Sequence, residues 1–329
     1  MKRVSIIVSL CLALALLVSG PAQAAEVTLT TACNQPEDYP TVQGLRYMDQ
    51  YLQRLTDGEV ELDIYPHAEL GEEAETIEMT QAGAIDINRV SVAPVTGIAP
   101  VLEVFALPYV FEDEMHMHNV LDSEVGEDLS THEELIDSGV RALTWYDAGQ
   151  RSVYSAERPV YSPEDLEGQT IRVQPADVMV DAMEALGASA TVMEFGEVYS
   201  ALDTGVIDAA ENNWPSLYAT GHYEVVDYYS IGAHARLPEP VLINEDTYNE
   251  LSEEHREALI KAAEASKHYQ RARWRAMAEE AEQQVREAGV EINEVDDITE
   301  FQEKVEPVYD EYVTDEMQPY LDRIEELAQ

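Results

Sequence analysis

The chain has 329 residues, of which 66 are Asp or Glu and only 19 are Lys or Arg, giving a formal charge of −47. So acidic a surface repels phosphate backbones, which excludes nucleic acid as a partner. A hydrophobic content of 45% argues against a disordered chain and makes the acids the hydrated coat of a folded one.

Met1-Lys2-Arg3 precedes an apolar run over residues 4–18, and Pro21-Ala22-Gln23-Ala24 supplies a small-residue cleavage site. This pattern predicts a secretory signal over residues 1–24, a mature chain beginning at Ala25 and a periplasmic location. The apolar run is shorter than the roughly 20 residues that span a bilayer, so a protein not embedded in the membrane is expected. Cys11 follows Leu10 rather than a small residue, which argues against lipid attachment there. Without the signal Cys33 is the only cysteine, and no intrachain disulfide can form. About 305 residues remain, enough for two domains. Loss of Lys2 and Arg3 moves the charge from −47 to −49, and only four lysines occur in the whole chain. This imbalance predicts adaptation to high salt.

In chain order, Val27-Thr28-Leu29-Thr30-Thr31 alternates as a first strand and feeds a polar loop over residues 34–40. Residues 42–56 carry apolar groups at helical spacing, Asp57-Gly58 turns, and residues 60–65 alternate again. Residues 84–90 read as a third strand ending in polar residues, completing a βαβ series with a parallel sheet. A second series follows residues 144–147. Ser162-Pro163-Glu164-Asp165 starts a short helix that Gly168 ends. Ser252-Glu253-Glu254 caps a pattern reaching Ala288, with Leu259, Ile260, Ala263 and Tyr269 at apolar positions.

The chemistry concentrates between Gly168 and Trp214. Gly168-Gln169-Thr170-Ile171-Arg172-Val173-Gln174 is a strand, a helical run ends at Leu186-Gly187, and Thr191-Val192-Met193-Glu194-Phe195-Gly196 is a second strand. After another helix comes Val206-Ile207-Asp208-Ala209-Ala210-Glu211-Asn212-Asn213-Trp214. Parallel α/β units bind ligands at the carboxyl ends of their strands, where this arrangement leaves a cation and amides. A guanidinium such as that of Arg172 presents two parallel donors to a carboxylate. Pairing with one of the many surface acids is the alternative role for it.

These motifs, together with Glu69-Leu70-Gly71-Glu72, Phe105-Ala106-Leu107-Pro108-Tyr109 and Gly149-Gln150-Arg151, resemble the substrate-binding proteins of TRAP transporters (tripartite ATP-independent periplasmic transporters). The match runs from Val27 to about Tyr248, with Ala209 where the family's Asp-Gly-x-Glu-Asn box usually has Gly. The resemblance implies an α/β, two-lobe periplasmic-binding-protein fold with mixed sheets, interleaved lobes and a long helix spanning both. The expected division is lobe I at 25–147 plus 235–277 and lobe II at 148–234 plus 278–329. It also implies that Arg172 grips a substrate carboxylate and that Asn212 supports the same ligand. Arg151 would be a second ligand-side arginine, Phe195 a cleft wall and Asn34 a ligand-contacting amide, with Arg89, Asn213 and Trp214 completing the set. Ile87-Asn88-Arg89-Val90-Ser91 lacks the acid of the sialic-acid branch, whereas residues 35–42 and 211–225 are similar to the branch that takes up sugar acids such as glucuronate and galacturonate.

The expected partners are therefore a small organic acid anion and TRAP membrane permease subunits. A dicarboxylate or other sugar acid, or an ABC rather than a TRAP system, is the alternative. An exported carboxylate-dependent hydrolase is the rival from another class, but 66 acids make any acidic pair uninformative. Met115-His116-Met117-His118 invites a copper site, yet histidines two apart on a helix diverge. His132-Glu133-Glu134 lacks the second histidine of a zinc-protease helix. There is no Gly-rich phosphate loop or nucleophile elbow, and no cofactor or metal is expected.

Overall fold

A computed structural model describes residues 25–328, so the predicted signal at 1–24 lies outside the described residues. Two mixed sheets carry the fold. The first contains β1 (Val27–Cys33), β2 (Val60–Tyr65), β3 (Ile87–Arg89), β4 (Val140–Tyr146) and β10 (Glu239–Asn244), in the order β2-β1-β3-β10-β4. The second contains β5 (Arg151–Ser155), β6 (Thr170–Val173), β7 (Ser189–Val192), β8 (Ala209–Asn212), β9 (Tyr228–Ala235) and β11 (Glu291–Glu294), in the order β11-β9-β5-β8-β6-β7. This is the two-lobe α/β architecture expected from the resemblance.

Strands β1, β2 and β3 pair in parallel as the βαβ pattern requires, but β10 enters antiparallel between β3 and β4. The first sheet is thus not purely parallel as its opening series predicts, because a strand from 150 residues further on is inserted. The third strand is also shorter than residues 84–90. Asp86 turns its carboxylate onto the Thr30 amide at 2.8 Å and onto the Thr247 hydroxyl at 3.0 Å, and pairing starts at Ile87. Asp208 does the same in the second sheet, accepting from the Thr170 amide at 2.7 Å just before β8 begins.

The chain passes between the sheets three times. Asp147–Gln150 joins β4 to β5, Arg236–Pro238 joins β9 to β10, and the helix Glu253–Ala288 runs along both. Ser252 caps that helix through the His255 amide, and Gly289 ends it at φ +102°, a left-handed stop that glycine adopts without strain. At about 1.5 Å per residue its 36 residues extend some 54 Å. Leu259 and Ala263 are buried in the core under the first sheet, and Ala281 and Val285 in that of the second. Ile260 and Tyr269, expected on the packed face, are surface residues. Tyr269 stacks on Tyr47 with ring centroids 4.6 Å apart. The last helix, Gln318–Glu326, returns to the segment Glu124–Ser130, with Arg323 Nη1 2.9 Å from Asp128 Oδ2 and His116 Nε2 donating to the Ile324 carbonyl at 2.7 Å.

Candidate ligand-binding site

Where the two sheets face each other, the carboxyl ends of β1, β3, β6 and β8 meet the amino ends of the antiparallel strands β5 and β10. Cys33 pairs with Arg89 across β1 and β3, Val241 with Arg89, and Ser152 with Asn212. The crevice this creates has about 390 Å³ of non-atom space, its open mouth included. Asn34, Arg89, Arg151, Arg172, Phe195, Asn212 and Asn213 all line it. Trp214 does not. It stacks on Tyr229 at 3.7 Å between centroids and faces a neighbouring cavity.

Three of these residues are buried arginines, and their hydrogen bonds set them apart. Arg151 sends Nε to Glu211 Oε2 at 2.6 Å, Nη2 to Glu211 Oε1 and to the Glu211 carbonyl at 2.8 Å, and Nη1 to Asn212 Oδ1 at 2.8 Å. Four of its five N–H donors are thereby used within the protein. Arg89 bonds Cys33 Sγ and Asn34 Oδ1, and lies 3.3 Å from Glu73 and 3.1 Å from Glu239. Arg172 has one protein acceptor, the Met193 carbonyl, 2.8 Å from its Nε. Its Nη1 is buried without a partner, and among the described residues no carboxylate lies within ion-pair distance of it.

The electrostatics follow from this division. Burial lowers the Arg172 pKa, and the neighbouring Arg151 adds to the effect, so its charge is the destabilised one in the crevice. Glu211 is fully buried, which alone raises a carboxyl pKa, but Arg151 and His234 overcome that and hold it at about 2. Glu239 is pushed up to about 7 by burial against the pull of Arg89, with Glu73 repelling it. Burial likewise raises Glu73. His222 lies beside Phe195 and is lowered to about 4 by burial and by Arg172, so its ring is neutral at pH 7 and Nδ1 can accept from the Tyr154 hydroxyl at 2.9 Å.

Around the free guanidinium stand groups suited to hydroxyls. Asn212 Oδ1 is taken by Arg151 and by the Asn213 amide, and Asn34 Oδ1 by Arg89, so both side-chain NH2 groups remain as donors. Phe195 presents its ring 5.9 Å from the Arg172 guanidinium carbon. Gln35, Glu73, Ser91, Gln174, Pro175, Glu194, Ser216 and Glu239 also line the crevice and were not singled out from sequence. Glu73 directly follows the quoted Glu69-Leu70-Gly71-Glu72 motif and Gln174 lies two residues past Arg172, so both had a local signal. Glu239 had none, since its place follows from the insertion of β10.

Three hydrogen bonds tie the walls together: Ser91 Oγ donates to Gln174 Oε1 at 2.8 Å, Tyr39 and Ser216 share a hydrogen bond of 2.8 Å, and the Tyr39 hydroxyl lies 3.4 Å from Asn213 Oδ1, to which it donates. Gly149, in the first crossing segment, has φ +61°, and a Cβ there falls 2.7 Å from Trp274 Nε1, so this position is closed to side chains on two counts. The histidines of the Met-His-Met-His run diverge: His116 bonds Ile324, and His118 Nε2 bonds Asp147 Oδ2 at 2.7 Å.

The sequence and the fold are similar to those of known proteins. A solute-binding protein of Chromohalobacter salexigens is 39% identical over 278 residues, 84% of this chain and 82% of that one. A crystal structure of a TRAP periplasmic solute-binding protein from the same organism, with bound D-glucuronate, superimposes with a TM-score of 0.88 at 37% identity over 91% of this chain and 99% of that chain. One from Xanthobacter autotrophicus, with bound β-D-galacturonate, matches at 0.88 and 37% over the same shares. The family model for bacterial extracellular solute-binding proteins, family 7, covers residues 31–315, and the chain belongs to that family.

Proposed function

We propose that the chain captures a hexuronate, D-glucuronate or D-galacturonate, in the crevice and hands it to a TRAP membrane permease. The observation that carries this reading is Arg172, a buried guanidinium with one protein acceptor and, among the described residues, no carboxylate within ion-pair distance. A single carboxylate meeting it head-on supplies both the charge and the parallel acceptors it lacks. Arg89 and Arg151 are already paired with acids, so among the described residues the crevice offers one uncompensated cation. That favours one carboxylate with several hydroxyls over a dicarboxylate, whose second charge would approach Glu73, Glu194 or Glu239. The uronates bound by the two solved relatives fit this requirement.

Asn34 and Asn212 donate to hydroxyls in this reading, and Phe195 covers the C–H face of the ring. Arg151 keeps Asn212 in place, and Arg89 and Asn213 act chiefly through their neighbours. Trp214 supports the wall from behind. Contacts from both walls stabilise the closed form over the open one, and the permease reads that form. No bond is made or broken, so the chain is a carrier and not an enzyme. Residues 1–24 act as the export signal, and the mature chain works in the periplasm. Among the described residues no helix is long and apolar enough to cross a membrane. In this reading lobe I is 25–147 plus 235–277 and lobe II is 148–234 plus 278–329, with divisions close to where the strands change sheets and the last helix of lobe II reaching back to Glu124–Ser130.

Calorimetric titration with D-glucuronate, D-galacturonate, succinate and sialic acid tests the reading. A 1:1 heat with the uronates and none with succinate is expected, and preferential binding of succinate overturns it.

A further inference from the structure

Beside the crevice lies a second cavity, with about 540 Å³ of non-atom space including its mouth. All three segments that cross between the sheets line it: Gln150 from the first, Arg236 from the second, and Trp274 and Arg275 from the long helix. Trp214 forms a further wall, so two of the three tryptophans of the chain border this space.

Arg236 is the group that gives the cavity a chemistry. It is half-buried, and among the described residues its Nη2 donates only to Gln150 Oε1, at a long 3.2 Å, with no carboxylate within ion-pair distance. The acids whose fields reach it are each engaged elsewhere. Asp113 accepts from the His116 amide at 2.7 Å, Glu114 from Arg275 Nε at 2.5 Å, and Asp147 from His118 at 2.7 Å and from the Gly149 amide at 2.7 Å. With Glu114 neutralised by Arg275, the walls carry one net positive charge in a chain of net −47. Burial lowers the pKa of Arg236, the same direction as for Arg172.

We propose that this cavity is a second anion site, taking a small carboxylate that carries an aromatic or other flat apolar ring. Arg236 meets the carboxylate, and the ring lies against the indole walls of Trp214 and Trp274. Because the site is built from all three crossing segments, its occupant changes the equilibrium between open and closed forms, and the crevice ligand and this anion alter each other's affinity by the same factor. The site does not depend on what the crevice binds.

Titration with sodium benzoate at constant ionic strength, followed by tryptophan fluorescence, tests it in wild type, Arg172→Ala, Arg236→Gln and Ala278→Phe. The Phe is meant to fill the cavity from the helix side. A saturable change is expected in wild type and in Arg172→Ala, at least tenfold weaker in Arg236→Gln and absent in Ala278→Phe, with unfolding midpoints within a few degrees of wild type in at least one of the latter two. The proposal is overturned if a folded Arg236→Gln or Ala278→Phe protein responds as wild type does, if the response vanishes in Arg172→Ala, which places benzoate in the crevice, or if equal additions of KCl reproduce it.

Discussion

Arg151 and Glu211 are joined by two parallel hydrogen bonds, 2.6 Å from Nε to Oε2 and 2.8 Å from Nη2 to Oε1, with both side chains buried. The pair joins β5 and β8, the two central strands of the second sheet, at their crevice end and holds Asn212 through Arg151 Nη1. Removing one member strands a buried charge, so Arg151→Met is expected to destabilise the fold by roughly 3–5 kcal/mol. Urea unfolding measures this, and a loss under about 1 kcal/mol contradicts a structural role for the pair.

The same pair shapes the response to acid. Glu211, at about 2 in the fold against an ordinary 4.5, contributes stability that is present above pH 4.5 and lost as pH falls toward 2. His222, at about 4 against 6.5, is buried neutral, so it too favours the fold above pH 6.5 and loses that contribution as pH falls toward 4. Glu239 has the opposite sign: raised to about 7, it contributes most below pH 4.5 and loses that contribution as pH rises through 7. Between pH 4.5 and 7 the Glu239 slope therefore opposes that of His222, so thermal melts of Glu239→Gln should rise more steeply over this window than those of wild type and run parallel to them from pH 8 to 9. Curves that run parallel over pH 4.5 to 7 as well remove Glu239 as a contributor.

Tyr39 and Ser216 join the two walls of the crevice through a buried hydrogen bond of 2.8 Å. Tyr39→Phe deletes that bond with little change of shape and should cost the closed form about 1 kcal/mol, or several-fold in uronate affinity. Small-angle scattering at half-saturating ligand should show a larger fraction of open molecules than in wild type. Equal affinity and equal scattering would mean that the bond does not contribute to closure.

Much of this was legible in the sequence, and the reason differs from residue to residue. Thr170–Val173 and the helix Glu253–Ala288 follow from local rules: alternation after Gly168, a Ser252 cap and a Gly289 stop. Arg172 could be singled out because the ends of parallel strands are set by local βα repeats. What neighbours do to a charge is not local. Sequence does not say which of Arg89, Arg151 and Arg172 has an acid beside it, and only the pairing of β3 with β10 and of β5 with β8 reveals that two of them are already neutralised. Glu239 and the place of Arg236 beside the second cavity were hidden for the same reason, since both depend on a segment returning to meet strands far away in the chain.

The excess of acids carries its own expectation. With 66 acids against 19 basic residues, like-charge repulsion opposes the compact state, and salt screens it over about 3 Å at 1 M. The unfolding midpoint should rise between 0.1 M and 2 M KCl. A midpoint that falls over that range contradicts salt adaptation. The contact between Arg172 and a carboxylate is short and buried, so ligand affinity should change far less than stability does.

The most direct measurement is calorimetric titration of D-glucuronate into wild type, Arg172→Lys and Arg172→Ala. Removing one partner of a buried charged hydrogen-bonded pair costs about 2–5 kcal/mol, so Arg172→Ala should bind at least thirtyfold more weakly, and Arg172→Lys, which keeps the charge but loses the fork, should fall between. Binding to Arg172→Ala within threefold of wild type would contradict the account at its centre.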